Sequence, residues 1–253
     1  MQANHFSYDR IGVSYTSTRT SDPVLQAQIH QHLAGARNLV NIGAGSGSYE
    51  PENIPVVAVE PSATMISQRK PGKAPAVRGV ASALPFADAA FSTSLSILTV
   101  HHWKERQTAF SEISRVVSGQ AVFVTWDPES TGFWLTQDYF PELLDIDRPK
   151  FPKLDEFRES FSAIEVFPML IPHNCVDGFL GAYWRRPHFY LDEVVRAGMS
   201  TFAEVKNPGQ ALSRLAADLE TGRWHERNAA MLDATELDLG YRLIVADLWA
   251  DHA

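Results

Sequence analysis

Residues 39–50 read LVNIGAGSGSYE, an apolar run that empties into Gly43, Gly45 and Gly47, and Glu60 closes a second apolar run, VVAVE, at 56–60. Glycine lacks a Cβ, so such a loop turns sharply and lets its backbone approach a ligand closely. A carboxylate at the tip of the neighbouring strand accepts from both hydroxyls of a ribose. The pairing marks a nucleoside pocket. A dinucleotide fingerprint would place its third glycine at position 48 and run on into a long helix whose N-terminus takes the pyrophosphate. Here position 48 is Ser48, Pro51 follows, and only SYEPENI separates Gly47 from Pro55. At most one helical turn fits in that crossover, which favours a nucleoside ligand without pyrophosphate.

From 38 to 126 short β-branched runs alternate with helical stretches, the pattern of a mainly parallel sheet covered on both faces. Strands are expected at 38–42, 55–59, 76–78, 91–97 and 120–126, with two more at 163–170 and in LGYRLIVADLW from 239. Apolar positions Phe110, Ile113, Val116 and Val117 recur at helical steps in WKERQTAFSEISRVVSG, and Gly119 is expected to stop that helix in a left-handed turn. Further helices are expected at 5–19, at 23–34 with Pro23 in the first position, at 131–146 and at 150–161. Residues 172–237, rich in aromatics and helical patterns, read as part of a cap over the strand ends.

The organisation predicted is therefore one domain over 1–253. Lid helices occupy 1–36, the cofactor-binding core 37–130, a mixed region with a helical cap 131–237, and the final strand 238–253. With 253 residues, 45% hydrophobic and 21% charged, the chain has the composition of an ordinary globular enzyme. No stretch approaches the roughly 18–20 apolar residues of a membrane helix, and MQANHFSYDR lacks a signal-peptide pattern, so a cytoplasmic protein without a membrane partner is expected. A net charge of −8 argues against nucleic acid as partner. Cys175, the only cysteine, excludes an internal disulfide and a thiolate-rich zinc site; no histidine and carboxylate set at ligand spacing appears, and no metal is expected.

Four blocks, VNIGAGSGSYE (40–50), VVAVEPSATMI (56–66), VRGVASALPFADAAFS (77–92) and LTVHHW (98–103), stand in the order and spacing of a known family. The chain resembles the class I S-adenosylmethionine-dependent methyltransferases, in the branch related to ubiquinone and menaquinone methyltransferases, over roughly residues 5–126. The resemblance implies a Rossmann-like, doubly wound, mainly parallel seven-stranded α/β sheet with an N-terminal lid helix and a helical cap inserted before the last strand. It implies S-adenosyl-L-methionine as cofactor and S-adenosyl-L-homocysteine as product. Gly43, Ala44 and Gly45 would surround the methionine moiety, Glu60 and Pro61 the ribose, and Met65 the adenine face, with Ile97 and Leu98 at the end of the fourth strand. Met65 reads alternatively as a core methionine of a short helix. Relatives usually carry an aspartate where this chain has Val80, which shifts adenine recognition toward backbone groups near Ala81 and Ser82. Tyr15 and Arg19 match the lid helix, Arg19 as partner of the methionine carboxylate or, equally, as a solvated arginine.

Methyl transfer asks for alignment of a nucleophile at about 3–3.5 Å, exclusion of water and management of one proton. Histidine suits the proton, and His101, His102 and His173 are the candidate bases; the HH pair serves a structural duty as an alternative. In residues 171–200, Tyr183, Trp184 and Phe179 offer flat walls, while Asp177, Arg185 and Arg186 offer polar contacts to an acceptor. The alternative has these aromatics cementing cap to core. The function expected is methyl transfer to a small molecule by a monomer or homodimer; the rivals are a protein or RNA methyltransferase and a non-catalytic S-adenosylmethionine sensor.

Overall fold

In the computed structural model, which describes residues 19–248, strands β1 (Leu39–Ile42), β2 (Val56–Glu60), β3 (Ala76–Arg78), β4 (Phe91–Ile97) and β5 (Val117–Trp126) run parallel. After them come β6 (Ala163–Pro168), a small separate ladder of β7 (Ile171–Pro172) with β8 (Glu236–Leu237), and β9 (Tyr241–Asp247). The main sheet has seven strands in the order β3-β2-β1-β4-β5-β9-β6, with β9 antiparallel to both its neighbours. The chain winds outward from β1 to β3, then returns to lay β4 on the other flank of β1. Ligands of such sheets bind at this reversal, outside the carboxyl ends of β1 and β4.

Successive residues of a strand face opposite sides, and the core divides accordingly. Leu39, Leu95, Val122, Val124 and Leu243 belong to one buried cluster; Val40, Ile42, Ala121, Phe123 and Ile244 belong to the other. The second cluster is closed by α3 (Arg106–Val116), counted after α1 (Pro23–His30) and α2 (Ala63–Ser67), through Ala109, Phe110, Ile113 and Val116. The first is covered by α1, which supplies Leu25 and Ile29, and by the region after β5, which supplies Trp134, Trp184, Tyr190 and Trp224. Asp22 caps α1 by accepting from Val24 N–H and Leu25 N–H, and Pro23 stands at its first position as expected.

Strand positions agree with the sequence reading to within a residue from β1 to β4, and no helix interrupts the crossover from β1 to β2. One stop is corrected. The third helix ends at Val116 and the chain enters β5 directly at Val117, so Gly119 lies inside the strand. The buried β-branched pair Val116 and Val117 carries the chain straight into the sheet. Phe91 pairs Val117 while Thr93 pairs Gln120, and Gly119 falls in the resulting bulge. Expected helices at 131–146 and 150–161 are shorter: a π-turn at Leu135–Tyr139, then α4 (Glu142–Asp147) starting behind Pro141, and α5 (Leu154–Ser160) starting behind Pro152. The cap is made largely of short turns, with α6 (Glu193–Ala197) and the longer α7 (Gly209–Glu220). The helix expected over 5–19 falls almost entirely outside the described residues, and Tyr15 with it.

Candidate functional site

The loop after β1 turns through three left-handed glycines, Gly43 (φ 71°), Gly45 (φ 52°) and Gly47 (φ 90°). Gly43 and Ala44 donate to Val59 O at 2.8 and 3.1 Å, which pulls the loop over the end of β2. A Cβ on Gly43 would lie 2.0 Å from Thr99 Oγ1, so the loop backbone packs directly on the segment after β4. Glu60, 7% exposed, accepts from Gly45 N–H at 2.8 Å with one oxygen and from Ser62 N–H at 2.9 Å with the other. An ionised carboxylate offers about four lone-pair sites, and these two bonds fix its orientation at the glycine bend. Ser62 caps α2 and thereby seats Met65, buried, with its Cε 3.3 Å from where a Gly45 Cβ would stand.

Behind the loop lies a device that the sequence reading missed. Arg69 Nη2 donates to both oxygens of Glu50 at 2.7 and 2.8 Å, Arg69 Nη1 to Gly45 O at 3.2 Å, and Asn41 Nδ2 to Glu50 Oε1 at 3.0 Å. Both charges of the pair are buried. Glu50 therefore neutralises Arg69, whose guanidinium lies against Gly47, so this cation offers no unpaired charge to a pyrophosphate. Carboxylate, tight glycine bend and apolar methionine together fit a nucleoside that carries no phosphate.

Pro61 follows β2, and its carbonyl accepts from Arg78 Nε at 3.1 Å. Ala81 and Ser82 sit on the turn after β3, closed by a bridge between Val80 and Ala83. That turn is tied to α3: Glu112 accepts from Leu84 N–H at 2.8 Å, and Arg115 donates to Leu84 O and Phe86 O. Ile97 ends β4, and Leu98 after it holds φ 47°, a left-handed conformation costly for leucine.

Leu98 and Arg19 also line a partly open cavity of about 50 Å³, together with His101, Trp126, Asp147, Phe151, Phe179, Leu180, Met199, Thr201 and Tyr241. The cavity thus abuts the end of β4 where the glycine loop packs. His101 stacks on Phe151 with centroids 4.2 Å apart, and its buried Nδ1 has no hydrogen-bond partner. Burial, then the neighbouring His102, Lys150, Arg19 and Arg106, hold its imidazole well below the ordinary value of 6.5. His102 packs on His101 at 3.8 Å, and burial followed by Lys150 pushes it down to about 4. Asp147, 2% exposed, accepts from Thr201 Oγ1 at 2.8 Å, and burial pushes its carboxyl up to about 6.

The structure brings His101 and Arg19 to this cavity and leaves several other candidates outside its lining. His173 lies beside the small ladder, donating its N–H to Thr235 O at 2.9 Å. Trp184 is wholly buried in the core, its indole N–H donating to Ile171 O at 3.0 Å and its carbonyl accepting from Trp134 Nε1. Tyr183 stacks on Phe189 beneath Arg186, and Arg185 donates to Ala234 O. Asp177, 1% exposed, is spent on two internal partners: a bidentate pair with Arg19 and the hydroxyl of Tyr49 at 2.8 Å. Trp184, Tyr183, Arg185 and Asp177 are thus committed to cap and core packing. Phe179, expected as a wall, does line the cavity, beside Trp126, Asp147, Phe151 and Met199, which no motif marks. Among the described residues no group of three or more metal-ligating side chains is assembled, and no helix is long and apolar enough to cross a membrane.

Comparison with known proteins agrees with this geometry. A family profile described as a methyltransferase domain matches residues 40–125. A solved protein of Anabaena variabilis, described as a methyltransferase from an antibiotic biosynthesis pathway, is 33% identical over 90% of this chain and 98% of its own, with a TM-score of 0.81. Two more distant structures share the fold. An S-adenosylmethionine-dependent methyltransferase of Thermotoga maritima is 16% identical over 96% of this chain and 95% of its own, TM-score 0.54. A phosphoethanolamine N-methyltransferase of Haemonchus contortus, solved with S-adenosyl-L-methionine, is 14% identical over 97% and 58%, TM-score 0.56. No curated protein matches the sequence. The chain belongs to the class I S-adenosylmethionine-dependent methyltransferases. It is an enzyme of that family, whose cofactor is S-adenosylmethionine.

Proposed function

We propose that this enzyme methylates a small molecule held in the cavity beside Leu98, with S-adenosyl-L-methionine seated across the glycine loop and S-adenosyl-L-homocysteine as product. The four sequence blocks support kinship with the branch related to ubiquinone and menaquinone methyltransferases; the acceptor is a separate question, taken from the cavity. The observation that carries the reading is that cap residues Phe179, Leu180 and Met199 narrow the space against the end of β4 to a cavity of about 50 Å³. A macromolecule would need a wider groove there.

Bound, the cofactor supplies a sulfonium-linked methyl group for in-line displacement, the electron pair of the broken bond staying on sulfur. Gly43, Ala44 and Gly45 hold its amino-acid end, Glu60 with Pro61 the ribose, Met65 the adenine face, and the backbone of Ala81 and Ser82 the adenine edge. Ile97 and Leu98 separate this pocket from the acceptor. His101 takes the proton that the acceptor's hydroxyl or amine loses as the new bond forms. Its neutral, buried imidazole has Nδ1 available for that proton. Arg19, clamped to Asp177, joins the segment before α1 to the cap and so excludes water.

The test is methyl transfer from tritiated S-adenosylmethionine into an extract separated by size. Label in the small-molecule fraction is expected. Label confined to protein or RNA would refute the small-molecule reading, and binding without any transfer would make the protein a sensor.

A further inference from the structure

The cavity's charges do not balance. Arg19 is paired with Asp177, and Lys150 is shared between Glu204 and Asp147, whose Oδ1 it meets only at 3.9 Å, beyond hydrogen-bond distance, so two cations face three carboxylates. His101 is neutral. Asp147, almost wholly buried, receives its side-chain hydrogen bond from a neutral hydroxyl, that of Thr201. A buried carboxylate without a cation at hydrogen-bond distance is costly and is relieved by a ligand that brings one. Around it the lining is aromatic and continuous. Trp126 meets Phe151 edge to face at 5.5 Å and stacks on Tyr241 at 6.2 Å, and Phe179 meets Tyr241 at 4.8 Å. Ring faces attract a desolvated cation.

We propose that the acceptor is a cationic amine, and that Asp147, set among Trp126, Phe151, Phe179 and Tyr241, is the subsite that reads its ammonium group. This rests on the assignment of the cavity as the acceptor site. Thr201 holds one carboxylate oxygen, and the other, 3.9 Å from a Lys150 already shared with Glu204, is the one the ligand's ammonium takes. A nitrogen held as an ammonium has no lone pair for displacement. The methyl group therefore goes to a second heteroatom of the same molecule, placed at the His101 end of the cavity. Carboxylate acceptors are excluded by repulsion from Asp147.

Three molecules of one skeleton test this: tyramine, tyrosol and 4-hydroxyphenylacetate, which end in a cation, a neutral hydroxyl and an anion. Each is titrated calorimetrically into the full chain saturated with S-adenosylhomocysteine. Tyramine is expected to bind at least tenfold more tightly than tyrosol, with no binding of the acid, and Asp147→Asn is expected to abolish the difference. Equal or tighter binding of tyrosol or the acid, absence of tyramine binding, or a preference that survives in Asp147→Asn would overturn the assignment. S-adenosylhomocysteine affinity is the independent control. Its loss in the wild-type chain would strike at the cofactor site itself, whereas its loss only in Asp147→Asn would reveal misfolding and leave the wild-type series to decide.

Discussion

Gly43 has no room for a methyl group: Thr99 Oγ1 would lie 2.0 Å from it, and φ is 71°. Gly43→Ala must push the loop off Thr99 and adopt an unfavourable backbone. A stability loss of about 2 kcal/mol is expected, with S-adenosylhomocysteine affinity falling at least tenfold, both measurable on one preparation. Unchanged affinity would mean that the bend does not shape the ligand site. His101 and His102 give a pH signature. Both are held below their ordinary 6.5 when folded, so between that value and their folded values the unfolded chain binds more protons. Their contribution is full above about pH 6.5 and is lost as pH falls toward the value near 4 of His102. Asp147, raised when folded, acts in the opposite sense between its ordinary 3.8 and about 6. Urea denaturation from pH 7.5 to 6, above the range in which Asp147 acts, should therefore record a fall in stability carried by His101, since the His102 side chain is exposed and its share is screened by solvent. A flat profile would mean that the histidines are solvated. His101→Gln should lower kcat by about a hundredfold while leaving cofactor affinity intact.

The glycine loop works as an element because the buried Glu50 and Arg69 pair holds it from behind. Removing one partner strands the other charge, at a cost of about 3–5 kcal/mol. Arg69→Met should lower stability by that order in denaturant titration and weaken S-adenosylhomocysteine binding; unchanged binding would confine the pair to a packing role. Elements were readable from the sequence where one local pattern decided them. The run LVNI, the glycines and VVAVE fix β1, the bend and β2, and the short SYEPENI crossover excludes a helix. Where two patterns competed, the sequence misled. Gly119 reads as a helix stop, yet the buried Val116 and Val117 had already passed the chain into β5 and the glycine fills a bulge. Most of the cavity walls, Phe179 apart, were illegible for another reason. Asp147 and Phe151 sit one turn apart, but Trp126, Met199 and Tyr241 lie far from them in sequence, and only the packing of the cap brings them together. Trp184 and Tyr183 looked like walls because aromatic content alone cannot say which side of the cap a ring faces.

At the scale of the molecule, one buried network joins three parts. Tyr49, at the end of the glycine loop with φ 61°, donates its hydroxyl proton to Asp177 and accepts from Asp22 N–H at 3.3 Å. Asp22 also accepts from Val176 N–H at 2.9 Å. Cap, loop and the segment before α1 are thus held by shared hydrogen bonds around Asp177. Asp177→Ala leaves Arg19 and Tyr49 without that partner, so hydrogen exchange should quicken over 173–205 while β1, β4 and β5 keep their protection. Uniform loss of protection would mean that the network supports the whole core. Everything above depends on Glu60 and the glycine bend forming one nucleoside site. Calorimetry of the purified chain with S-adenosylhomocysteine and with NAD, repeated on Glu60→Ala, tests that most directly. Uptake of one S-adenosylhomocysteine, at least tenfold weaker in Glu60→Ala, with no uptake of NAD, is the expected result; NAD binding, or affinity indifferent to Glu60, would contradict it.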